Sequence, residues 1–132
     1  MNKKYEITWR PTGKEVLQIT YNDSISLSEI LNAHLEADDF VRSVPHNVVV
    51  FNDSQNYRIE EIRIGTIKEF IFNKIPRVPN NLKGIVIFVK FQFAALSIAI
   101  ENLANVQYGR NFIQVVDSYE KAERIINSKL GK

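Results

Sequence analysis

Val48-Val49-Val50-Phe51 is an unbroken run of β-branched and aromatic residues, bounded by Asn47 on one side and Asn52-Asp53 on the other. A strand with one face in water alternates apolar and polar residues, whereas a strand covered on both faces has no polar position to keep. The run therefore predicts a central strand of a parallel sheet, packed above and below. Downstream, Ile85-Val86-Ile87-Phe88-Val89 repeats the pattern, and Phe112-Ile113-Gln114-Val115-Val116 gives a last strand.

Working outward, Tyr5, Ile7 and Trp9 alternate with polar residues, and after Pro11-Thr12-Gly13-Lys14 a second alternation follows in Leu17, Ile19 and Tyr21. This predicts a β-hairpin. Ser26 and Glu29 have capping-box spacing, with Ile25 and Ile30 as the hydrophobic staple, so a helix starts there. Its expected stripe is Leu27, Ile30, Leu31, Leu35 and Val41, and it should stop before Pro45, which pushes Val44 out of the helical region. A second helix carries the row Ile64, Ile67, Ile71 and Ile75 and ends at Pro76; a third runs from about Phe93 to Tyr108, with Gly109 as a left-handed cap. Asp117 and Glu120 are expected to cap a final helix with the stripe Ala122, Ile125, Ile126 and Leu130. The order is β-β-α-β-α-β-α-β-α. It implies a single α/β domain over residues 1–132, with a five-stranded, mainly parallel sheet, one antiparallel edge strand and about four helices.

A chain of 132 residues suits one such domain, and 45% apolar with 24% charged residues excludes a disordered tail or a coiled coil. The absence of cysteine removes disulfides, thiolate nucleophiles and iron–sulfur clusters together. Seventeen basic and fifteen acidic side chains leave +2, too little to mark a nucleic-acid binder. The charge is uneven: residues 1–66 hold seven basic and ten acidic side chains, and residues 67–132 hold ten and five. That asymmetry is either a docking surface or the ordinary solvated faces of helices. Met1 to Glu6 lacks the apolar run of an export signal, and the uncharged stretch Phe91 to Ile100 is about half of the roughly 20 residues needed to cross a bilayer. A soluble cytoplasmic protein without membrane insertion is expected.

The element order, Tyr5-Glu6-Ile7-Thr8-Trp9 with its hairpin, Val48 through Ser54, and the closing Phe112-Ile113-Gln114-Val115-Val116-Asp117-Ser118-Tyr119-Glu120-Lys121-Ala122 together resemble the STAS domains (sulfate transporter and anti-sigma factor antagonist), in particular the small stand-alone bacterial STAS and CRAL-TRIO-like proteins. The resemblance implies a non-catalytic regulatory module that binds a protein partner or a small ligand. In the antagonists a Ser or Thr at a helix start after a central strand accepts phosphate from a partner kinase. Ser54, after Asp53, is the nearest equivalent here, although Gln55-Asn56 stands where the antagonists have Ser or Thr and then Gly.

The residues themselves offer no catalytic constellation. His34 and His46 lack metal-site spacing, and the five glycines stand too far apart for a phosphate loop. Neither a metal nor a cofactor is expected, and an enzyme is the least favoured class. Ligands of parallel sheets sit outside the carboxyl ends of the strands, where Asn52, Asp53, Ser54 and Lys90 are the candidate ligand or partner loop. Asp53 or Ser54 as an ordinary cap or turn residue is the plainer alternative. Ile62, Phe72 and Ile98 fall off the apolar faces of their helices and form a candidate interface, to a protein partner or a second copy of the chain. The competing function is a small-molecule or lipid carrier whose pocket between sheet and helices is lined by Phe70, Phe72, Phe91 and Phe93.

Overall fold

The structure, a computed structural model, describes residues 5–11, 13–22, 27–53, 78–88, 101–102, 109 and 111–132. Its elements are β1 (Tyr5–Trp9), β2 (Val16–Tyr21), α1 (Leu27–Arg42), β3 (Val48–Asp53), β4 (Leu82–Phe88), β5 (Ile113–Val116) and α2 (Tyr119–Lys129). Glu101 and Asn102 are also helical. The five strands form one sheet in the order β1-β2-β3-β4-β5. β1 and β2 pair antiparallel and every other neighbouring pair is parallel. The two middle helices expected from the sequence fall outside the described residues, apart from positions 101 and 102.

All six residues of β3 are buried, as its unbroken apolar run requires. Alternation along the strand sends Val48 and Val50 to one face, where Leu17, Ile19, Tyr21 and α1's Ala33, Ala37 and Val41 complete a core. Val49 and Phe51 go to the other face, against Val86, Phe88, Val116 and α2's Ala122 and Ile126. At roughly 1.5–3 kcal/mol for each large apolar side chain fully removed from water, these two layers are the main stabilisation of the domain.

The stripe expected for α2 meets the sheet, with Ala122 and Ile126 buried and Ile125 and Leu130 packed beside them. That expected for α1 is met in part. Val41 is buried and Ile30 packs beside it, but Leu35 is 36% exposed, and Ala33 and Ala37, in one row with Val41 at i, i+4 and i+8, take its place against the sheet. Small side chains on that row let the helix backbone approach the sheet closely. Leu35, two residues from Ala33, is then turned some 200° around the helix, away from it.

The cap of α2 also shifts by one residue. Ser118, not Asp117, is the N-cap, and its hydroxyl accepts from the Lys121 N–H at 3.2 Å. Asp117 pairs with the Lys121 ammonium at 3.0 Å. Ser118 has the extended backbone an N-cap needs, with φ −149° and ψ 153°, so its short side chain folds back onto the first turn.

α1 ends at Arg42, ahead of Pro45 as the sequence predicts. Its end and the turn after it are met by a residue distant in the chain: the Asn81 amide donates to the carbonyl oxygen of Val41 in α1 and to those of Val44 and His46 beyond it, at 2.8, 3.0 and 3.0 Å. His46 in turn reaches the Lys14 carbonyl with Nε2 at 2.8 Å, tying this corner to the β1–β2 turn. Gly109 has φ +98°, in the left-handed region that glycine tolerates.

The two edges of the sheet are finished differently. Arg10 N–H bonds the Val16 carbonyl at 3.0 Å, which makes 10 and 16 a hydrogen-bonded pair. By alternation Thr8 with Gln18 and Glu6 with Thr20 are hydrogen-bonded pairs too, and the N–H and C=O groups of Ile7 and Trp9 point outward from the sheet. At the opposite edge, the outward N–H of Val115 is taken by the Glu101 carboxylate.

Candidate functional site

At the carboxyl end of the sheet, β2 delivers Tyr21, β3 delivers Asn52 and Asp53, and β5 runs into Asp117 and Ser118. Asn52 and Asp53, expected in a loop, are the last two residues of β3 and are 2% and 9% exposed. The strand continues through them because each side chain finds hydrogen-bonding partners, one set on each face.

On the α1 face, the Tyr21 hydroxyl donates to Asn52 Oδ1 at 2.7 Å, and His34 of α1 also hydrogen-bonds Asn52. The Asn52 Nδ2 is buried without a partner among the described residues. Desolvation lowers the His34 pKa to about 4 despite the Asn52 bond, so the imidazole is neutral at pH 7. One turn along the same flank of α1, Asp38 is buried and pushed up to about 6; desolvation raises it, Arg42 opposes, and Asp39 adds to it.

On the α2 face, the Tyr119 hydroxyl donates to Asp53 Oδ2 at 2.6 Å. Its ring meets Phe88 edge-on at 4.5 Å and is tilted toward Phe51 at 6.3 Å. Burial first, then the bond to Asp53 and its charge, push the phenol up to about 12. The Arg10 guanidinium lies 5.1 Å from the centre of the Phe51 ring, and its Nη1 is 2.7 and 2.9 Å from the two carboxylate oxygens of Glu123. Tyr21 and Tyr119 thus hold the end of β3 from opposite sides.

A second polar region lies between β1 and α1. The Tyr5 hydroxyl donates to Glu36 Oε1 at 2.8 Å, and burial, Glu36 and then Glu29 push the phenol up to about 12. Beside it runs an open trough of about 790 Å³ lined by Tyr5, Glu6, Ile7, Thr8, Asn22, Glu36 and Phe40. Among the described residues no three His, Asp or Glu side chains gather as a metal group, and no helix is long and apolar enough to cross a membrane.

Of the residues singled out in the sequence, the structure brings Asn52 and Asp53 together at the end of β3. Ser54, Lys90, Ile62, Phe72 and Ile98 lie outside the described residues, as do Phe70, Phe91 and Phe93. The sequence places Tyr21 only in the hairpin, weighs His34 only as a metal ligand, and singles out none of Tyr21, His34 and Tyr119 for this site. Tyr21 ends the hairpin alternation on the side that faces α1, so its place beside the end of β3 follows once β2 and β3 are paired. For His34 and Tyr119 the signal lies only in the packing of their helices. Comparison of the chain with protein-family models, curated proteins and solved structures finds no match.

Proposed function

We propose that the protein is a non-catalytic regulatory module of STAS type that acts in the cytoplasm through a protein partner, with Ser54 as its modifiable residue. The observation that carries the proposal is the double anchoring of the β3 terminus: Asn52 is held by Tyr21 and His34, and Asp53 by Tyr119. The strand end is thus fixed on both faces up to Asp53, the residue that precedes Ser54 in the chain. Phenols shifted to higher pKa remain donors at neutral pH, and a neutral imidazole bonded to an amide is engaged in structure. These groups favour a rigid platform for binding over proton transfer. Phosphate on Ser54 adds about −1.5 to −2 charges next to Asp53, and like-charge repulsion there alters the surface a partner meets.

The test is crosslinking in the native host followed by quantitative mass spectrometry, with parent, Ser54→Ala and Ser54→Asp chains compared and phosphate mapped on the native protein. The proposal expects one partner enriched on the parent, its recovery changed several-fold by Ser54→Asp, and phosphate at Ser54. Equal recovery by all three folded chains, with no phosphate on Ser54, overturns the Ser54 assignment; no partner on any of them overturns the module itself.

A further inference from the structure

The two edges of the sheet differ in whether their backbone is answered. Glu101 takes the outward N–H of Val115 on β5, whereas on β1 the outward groups of Ile7 and Trp9 have no strand beside them among the described residues. An unpaired edge is a template for another extended chain. Alongside it runs the trough, whose surface is apolar at Ile7 and at Phe40, itself 40% exposed, and whose α1 wall carries Glu36, while Glu6 reaches its rim from the opposite face of β1. α1, which forms one wall, holds Glu29, Glu36, Asp38 and Asp39 against a single Arg42.

We propose that the outer edge of β1 receives an extended basic peptide segment of a partner protein, which adds to the sheet as a sixth strand. This rests on the protein being an interaction module and names the surface it uses. Main-chain bonds to Ile7 and Trp9 set the register, and alternate side chains divide between the two faces. Those over the trough lay apolar carbon against Ile7 and Phe40, and a lysine or arginine there extends its stem over Phe40 to reach Glu36. Those on the other face meet Glu6 and Thr8. A second copy of the chain is the poorer occupant, because pairing β1 with β1 brings two acidic α1 helices toward one another.

Fluorescence anisotropy with labelled octapeptides tests the proposal. The probes are alternating Lys-Val, alternating Glu-Val, and two forms of the Lys-Val peptide N-methylated on one or the other alternate set of residues. The Lys-Val peptide should bind and the Glu-Val peptide should not. One N-methylated form should lose binding while the other keeps it, since only one set of amides faces β1. The double variant Glu6→Lys/Glu36→Gln, which keeps an acceptor for Tyr5, should weaken Lys-Val binding at least about tenfold while its circular dichroism matches the parent. Binding that ignores N-methylation or the double variant overturns the proposal, as does a β1-paired dimer in light scattering that excludes the peptide. If the partner found by crosslinking binds the double variant as tightly as the parent, the edge assignment falls and the module stands; if no peptide and no partner bind the parent, both fall.

Discussion

Asp38 is 7% exposed on α1, near Arg42 and Asp39, and its carboxyl group is raised from 3.8 to about 6. A raised folded pKa means that folding favours the neutral acid. The resulting cost is absent below the unfolded value near 3.8, grows as pH rises through the folded value near 6, and is complete above it. Asp38→Asn removes the charge and retains the shape, so it should stabilise the protein at pH 7 by on the order of 1–2 kcal/mol. The advantage should fade as pH falls from 6 to below 3.8. Thermal melts of parent and variant across that range check it, and an unchanged difference at pH 4 and pH 7 counts against the assignment. His34 runs the other way: lowered to about 4, it withdraws stability as pH falls from about 6.5 through 4. Taking the difference between parent and variant at each pH cancels that contribution.

α1 shows what an element needs from outside itself. Its Val41 carbonyl, with those of Val44 and His46 in the turn that follows, is bonded by Asn81, a residue on the approach to β4, through one amide shared among three acceptors. Asn81→Ala leaves partly buried carbonyls without that donor and should cost about 2 kcal/mol, visible as a lower urea midpoint with an unchanged slope. A cost near zero would mean that water replaces the amide. The same dependence explains what could be read from the sequence. The hairpin, the buried run at Val48–Phe51 and the stripe of α2 are written in local periodicity, and the structure carries them as expected. On α1, Ile30 and Val41 of the expected stripe pack on the sheet, whereas Leu35, which the apolar count favours, does not, because close approach to the sheet selects Ala33 and Ala37. The N-cap moved from Asp117 to Ser118 because strand β5 runs to Val116 and Asp117 turns to Lys121 instead. At the site, Asn52 and Asp53 were legible as polar residues ending a buried run. Their partners Tyr21, His34 and Tyr119 were not, since those contacts exist only after strands and helices have packed.

Across the whole sheet, β3 sits between two parallel neighbours, and among the described residues β1 has a neighbour on one side only. Amide hydrogen exchange should therefore be slowest in β3 and should alternate along β1, with Ile7 and Trp9 at least about tenfold faster than Glu6 and Thr8. Equal protection of all four amides would contradict the register. Strand order in this sheet is also chain order, without a single exchange of places. After β1, each strand's neighbour on one side has therefore already been synthesised when that strand leaves the ribosome, and none has to find its place between two made before it. The same holds at the far edge, where Glu101 precedes in the chain the strand whose Val115 N–H it takes.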